Sequence, residues 1–312
     1  MKHEINFSII IPHKNIPGLL QRCLDSIPRR DDVQIIIVDD NSDPEIVDFD
    51  KFPGLNDPFV EVVFTKEGKG AGHARNVGLT KAVGKWLLFA DADDFYNYCI
   101  KDILDEYVNS DADIIFFKHN SLDSKNYTTT YRCTRFCTFI DKWLQSNPKD
   151  DAPLRYKLAS VWAKLIKHEL IKKNNILFDE VSLANDVTFA YLSGFYAASI
   201  NADPRALYCT TIRRDSIRHK KKNIKNELDN LYVICKRYRF FREHHIHIPN
   251  SITPINSLIK IYLYNREYFH KAKEILHEFG FTSGEIIKLF TGYVLFLAPN
   301  KLWKKLFVRT GV

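Results

Sequence analysis

The amino-terminal part of this 312-residue sequence predicts an α/β fold, a mostly parallel central sheet with flanking helices, followed by a helical carboxyl-terminal region. Two observations carry the prediction. Between residue 6 and about residue 118, short runs rich in Ile, Val and Phe (FSIIIP, VQIIIVDD, FVEVVFT, KWLLFAD, ADIIFF) alternate with helix-patterned segments such as GLLQRCLDSI and GHARNVGLTKAV. The runs are apolar at nearly every position, which suits strands covered on both faces and therefore a parallel, Rossmann-like arrangement. Ligands of such sheets sit beyond the carboxyl ends of the strands.

Taken in order, those strand ends converge on one chemistry. FSIIIP runs into Pro12, His13, Lys14 and Asn15. VQIIIVDD ends in Asp39 and Asp40, followed by Asn41 and Ser42, a pattern that in isolation also reads as a turn. KWLLFAD ends in Asp91, Ala92, Asp93 and Asp94, where like charges repel and lose water unless something positive neutralises them. A divalent cation with hard oxygen ligands, Mg²⁺ or Mn²⁺, bridging a diphosphate would supply that charge. The intervening GKGAGHARNVGLT has glycines that allow close approach to a ligand, and Arg75 has the reach for a phosphate or a base oxygen, or for the acidic rim itself.

The ordered set SIIIPHKN, IIIVDDNSD, GAGHARNVGL and FADADDFY resembles the amino-terminal half of the family 2 glycosyltransferases, inverting enzymes of the GT-A fold that use nucleotide-sugar donors. More diffusely, the likeness continues through SVWAKLIKHELIKKNNILFDE and LANDVTFAYL to about YCTTIRRDSI. The resemblance implies that Pro12 and Asn15 line the nucleotide pocket, that Asp40 accepts from the base, and that Arg75 faces the base or diphosphate. It implies Asp91 and Ala92 beside the nucleotide sugar, Asp91 and Asp93 as metal ligands, and Asp186 as the catalytic base that deprotonates the acceptor hydroxyl. His219 lies where some members place a late residue near the diphosphate, which makes it a further candidate metal ligand, and also reads as part of a solvated basic loop. The pattern departs from the family where its aromatic after the first strand's Pro is replaced by His13 and Lys14. At Asn185 and Asp186 only the second acid of the family's pair survives, at a helix start where a bare N-cap is the alternative role.

These features divide the chain into a catalytic domain over 1–215, with a nucleotide-sugar half at 1–118 and an acceptor half at 119–215, and a helical region over 216–312. The last helical segment, SGEIIKLFTGYVLFLAPNKLWKKLFVRTGV, mixes apolar and basic residues and reads either as a helix packed on the catalytic domain or as one lying on an anionic membrane surface. A net charge of +7 favours an anionic partner. Nucleic acid is excluded by the acidic strand ends and the lack of any recognition pattern. The scattered Cys residues and the short apolar start point to a cytoplasmic protein with free thiols, peripheral at most on the inner face of the membrane. Trp143, Trp162 and Phe178 read as core. The expected activity is metal-dependent inverting transfer from a UDP-sugar to a hydroxyl of a glycan or lipid-linked glycan, in capsule or lipopolysaccharide synthesis. The alternatives are a sugar nucleotidyltransferase, which should open with a Gly-rich phosphate loop that IPHKNIPGLL is not, and a non-catalytic nucleotide-sugar-binding module.

Overall fold

A computed structural model describes residues 4–213, 224–247, 253–264 and 266–288. The chain divides into two compact units, residues 1–181 with 185–219, and residues 182–184 with 220–312.

The first unit is built on an eight-stranded sheet in the order β3-β2-β1-β4-β7-β6-β8-β5. Strands β1 (Phe7–His13), β2 (Val33–Asp40) and β4 (Trp86–Phe89) are buried at nearly every position, as continuous apolar runs require, and β1 pairs in parallel with both neighbours. Strand β3 (Val60–Thr65) departs from the both-faces-covered expectation: it is an edge strand and only half-buried. The sheet is mixed as well, because the short β7 (Lys164–Lys167) runs antiparallel between β4 and β6 (Ile114–Asp123). β8 (Ile200–Ile212) returns parallel to β6, and β5 (Phe95–Tyr96) closes the edge antiparallel to β8.

The helices that position the site follow from local sequence. α1 (Pro17–Asp25) opens with Pro at its first turn, where a missing N–H costs nothing, and buries Leu20, Cys23 and Leu24 at helical spacing. α2 (Ala71–Lys81) starts after Gly70, whose φ of 97° favours glycine. A Cβ on Gly72 would lie 2.1 Å from the carbonyl oxygen of Asp179, so the helix start approaches the 178–185 loop more closely than any side chain permits. Further helices are α3 (Ile100–Tyr107), α4 (Thr134–Gln145), α5 (Ala152–Lys157), α6 (His168–Lys173) and α7 (Val187–Tyr196). Trp143 and Phe178 are buried and Trp162 packs half-buried against the same core, as expected of them.

In the second unit, α8 (Ile224–Glu243), α9 (Ile255–Tyr264) and α10 (Phe269–Glu278) enclose a separate core that includes Leu231, Cys235, Leu258, Ile261, Ala272 and Leu276. Among the described residues no helix is long and apolar enough to cross a membrane, and the cysteines are free. The apolar TGYVLFLA stretch and most of the basic segment before α8, His219 included, lie outside the described residues.

Candidate active site

The parallel register of β1 and β2 sets His13 directly opposite Asp39. The His13 Nδ1 lies 2.8 Å from Asp39 Oδ2, while Nε2 accepts the Ile16 N–H at 3.1 Å, so the accepting nitrogen holds no proton and Nδ1 donates to the carboxylate. Asp39 also accepts from the N–H of Ser42 at 2.9 Å and its hydroxyl at 2.5 Å. Burial would raise its carboxyl, but the hydrogen bonds from His13 and Ser42 prevail and hold it below the ordinary value. Asn15 and Asn41 both take φ of 58°, a left-handed conformation that Asn tolerates. Asn15 then ties the two strand ends together, donating its N–H to Ser42 Oγ at 2.8 Å and accepting from the Asp43 N–H at 2.7 Å. Pro12, in register with Val38, lies in this wall. Asp40 is nearly buried; both its oxygens accept from the Gly70 N–H at 3.0 Å, and Lys14 Nζ stands 3.3 Å from Oδ2.

At the end of β4, oxygens of Asp91, Asp93 and Asp94 all lie within 4.8 Å of one another, the one such group of potential metal ligands among the described residues. Ala92, between them, is buried, and the Asp91 N–H donates to the Tyr208 hydroxyl at 2.8 Å. Asp94 is buried and accepts from the Thr211 N–H at 2.6 Å, which pins the acidic loop to β8. Thr211 Oγ donates to the Asp93 carbonyl at 2.6 Å, as does Arg22. Arg213 places Nε and a terminal nitrogen 2.9 Å from Asp93 Oδ2. Burial first, and the neighbouring carboxylates second, push the carboxyl of Asp93 above the ordinary range and that of Asp94 well above it.

Arg75 links this loop to the next candidate. Its side chain is buried with the guanidinium over the Phe178 ring; one terminal nitrogen donates to Asp91 Oδ1 at 2.5 Å and the other to Asn185 Oδ1 at 2.8 Å. Arg75 thus pairs with the acidic rim. Asp186, beside Asn185, occupies the N-cap position of α7 and makes no side-chain capping hydrogen bond. Its charge acts on Lys164, a buried ammonium that donates to the Leu158 carbonyl at 2.9 Å and lies 4.9 Å from the centre of the Phe116 ring. Burial lowers Lys164 to about 7 despite the opposing pull of Asp186.

The structure thus brings Pro12, Asn15 and Asp40 to one part of the strand-end rim and links Asp91 to the loop that carries Asp186 through Arg75. Sequence reasoning missed Tyr208, Thr211, Arg22 and Lys164. The first two lie on β8, where partnership with the acidic loop depends on a pairing more than a hundred residues distant. Arg213 likewise meets Asp93 only across 120 residues of sequence.

A mixed parallel and antiparallel sheet flanked by helices, with this acid cluster at the tip of β4, defines the class: a GT-A-type glycosyltransferase fold. The model of the family described as Glycosyl transferase family 2 matches residues 8–162, and the chain belongs to that family. Over 195 residues it is 28% identical to the uncharacterized glycosyltransferase EpsJ of Bacillus subtilis (strain 168), a match covering 60% of this chain and 54% of EpsJ. The chain therefore spans about half the length of that relative. Among solved structures, S. aureus TarS 1-349 in complex with UDP-GlcNAc aligns with a TM-score of 0.60 at 21% identity, covering 88% of this chain and 71% of that one. The mannosyltransferase PcManGT from Pyrobaculum calidifontis, in complex with GDP-Man and Mn²⁺, aligns with a TM-score of 0.53 at 15% identity, covering 98% of this chain and 88% of that one. At these identities the likeness establishes the shared fold.

Proposed function

We propose that the protein is an inverting, metal-dependent glycosyltransferase that moves a sugar from a UDP-sugar to a hydroxyl of a glycan or lipid-linked glycan in a bacterial surface polysaccharide. The observation that carries the reading is the Asp91, Asp93 and Asp94 cluster, linked through Arg75 to the segment bearing Asp186. TarS, with its UDP-GlcNAc, and PcManGT, with GDP-Man and Mn²⁺, support a nucleotide-sugar donor and a divalent cation on this fold.

The donor set fits such a cation. It offers only carboxylate oxygens, the choice of Mg²⁺ and Mn²⁺, and the raised carboxyls of Asp93 and Asp94 show a cluster short of positive charge. Asp91 and Asp93 would hold the ion; when bound it neutralises charge on the departing diphosphate. Asp94, committed to Thr211, holds the loop. Arg75 fixes Asp91 relative to Asn185, and Asp186 orients the acceptor hydroxyl and takes its proton as that oxygen attacks opposite the leaving nucleotide. Pro12, Asn15 and Asp40 form the nucleoside end of the site. Domain limits at 215 and 216, a role for His219 at the diphosphate, and contact of the carboxyl-terminal helices with an anionic membrane belong to the same proposal.

A thermal-shift panel of nucleotide sugars with Mn²⁺ tests it, because a ligand that binds only the native state raises apparent stability. Stabilisation by a UDP-sugar in the presence of Mn²⁺, followed by transfer from that donor, is expected. A flat response to every nucleotide sugar and nucleoside diphosphate contradicts the proposal.

A further inference from the structure

We propose that Lys14 selects the donor's base: beside Asp40 it forms a donor–acceptor pair that reads the adjacent N–H and C=O of uracil and rejects cytosine. The inference rests on the donor-site reading above and adds to it the residue that discriminates.

The strand ends of β1 and β2 offer few polar groups with capacity to spare. His13 is buried and both ring nitrogens are engaged, with Asp39 and with the Ile16 N–H. Asp39 is buried and already accepts three hydrogen bonds from His13 and Ser42, and Asn15 commits its backbone N–H and side-chain oxygen to Ser42 and Asp43. Lys14 and Asp40 form the charged donor–acceptor pair at these strand ends. The Gly70 N–H fixes the Asp40 carboxylate from one side, 3.0 Å from each oxygen. Lys14 Nζ approaches it at 3.3 Å from a side chain that is 48% exposed, against 5% for Asp40. The ammonium is thus the accessible member of the pair and carries three donors, only one of which the carboxylate needs. A carboxylate has about four acceptor positions, so capacity for a further N–H remains on Asp40.

A group that donates and a group that accepts therefore stand next to one another at a fixed place. Uracil presents N3–H beside C4=O, which matches: N3–H to Asp40, O4 to Lys14. Cytosine presents the reverse, a bare N3 beside an amino group, so its lone pair would face the carboxylate and its N–H the ammonium. Discrimination then comes from repulsion as much as from attraction. A site built to hydrogen-bond one pattern leaves charged groups unpaired with the other, which is the situation in which polar specificity is largest. Lys14 on the diphosphate instead would weaken all nucleotides alike, since a phosphate contact carries no information about the base.

Calorimetric titration of UDP and CDP, with Mn²⁺ present, into the full-length chain and its Lys14→Met and Lys14→Arg variants separates these. The unsubstituted chain is expected to bind UDP at least about tenfold more tightly than CDP, and Lys14→Met to lower UDP affinity about tenfold or more while leaving CDP within about threefold. Lys14→Arg, which keeps a donor, should retain part of the preference. Equal loss of UDP and CDP in Lys14→Met, or no change in either, overturns the assignment to Lys14 and leaves the donor site standing. Failure of the unsubstituted chain to bind either nucleotide overturns the donor-site reading itself, and this inference with it.

Discussion

Two groups of carboxylates stand at the same rim of the sheet and are treated in opposite ways. Asp39, at the end of β2, is surrounded by His13 and Ser42 donors that outweigh its burial and keep it ionised. Asp93 and Asp94, beyond β4, are raised by burial and by each other's charge, with Arg213 as the only cation placed on the Asp93 carboxylate among the described residues. A carboxylate whose acceptor sites are filled is holding the chain together; one left short of positive charge is suited to receive a cation. On the proposed function the contrast gives the first group a structural part and Asp93 the chemical one, with Asp94 pinning the loop, and Asp40, half satisfied by Gly70 and Lys14, lies between them.

The largest effect should come from Asp186→Asn. General-base catalysis contributes about two to four orders of magnitude, so transfer should slow by about that factor while donor binding stays unchanged. A steady-state assay beside donor calorimetry checks the split, and parallel loss of both would return Asp186 to a structural role. Next is a pH effect on the unit that carries the site. Burial among Phe136 and Trp162, with a smaller push from Arg132, lowers His119 from 6.5 to about 4. Between those values the unfolded chain binds a proton that the folded chain refuses, so stability falls as pH drops through that window. The full cost is about 3 kcal/mol below pH 4 and absent above pH 6.5. Denaturant melts across pH 4 to 7 should show the acid-side loss, and His119→Phe should flatten it.

Smaller again is Arg75→Ala, which strips a buried guanidinium from Asp91 and Asn185. About 2 kcal/mol is expected, below the usual cost of breaking a buried pair because Asp91 is 35% exposed and water screens it. Thermal unfolding reads this directly. Arg213→Ala should cost the least, under about 1 kcal/mol, since both partners retain contact with solvent. If Arg213 mattered more to folding than Arg75, the division into structural and chemical acids would have to be redrawn.

How far the sequence discloses this molecule depends on whether a feature is local. β1, β2 and β4 are readable because burial on both faces forces nearly every side chain to be apolar, and the acids that follow β4 stand out because charge at the end of such a run is costly. β5 and β7 span two and four residues, too few to show a period, so the antiparallel insertion that makes the sheet mixed is not legible. The His13–Asp39 pair depends on the β1–β2 register, and the Arg75–Asn185 bond joins residues 110 apart, which composition and spacing do not encode. Asp186 stands out only through the family resemblance, since its place at a helix start also suits an N-cap, whereas the absence of a capping bond there is a fact of geometry alone.

The most direct test of the division between the two acid groups is calorimetric titration of a UDP-sugar into the intact protein and its Asp93→Ala variant, each with and without Mn²⁺. Tight binding that needs both Mn²⁺ and Asp93 is the predicted result. Equal affinity in all four experiments would contradict it, leaving the acids beyond β4 as a loop anchor and no more.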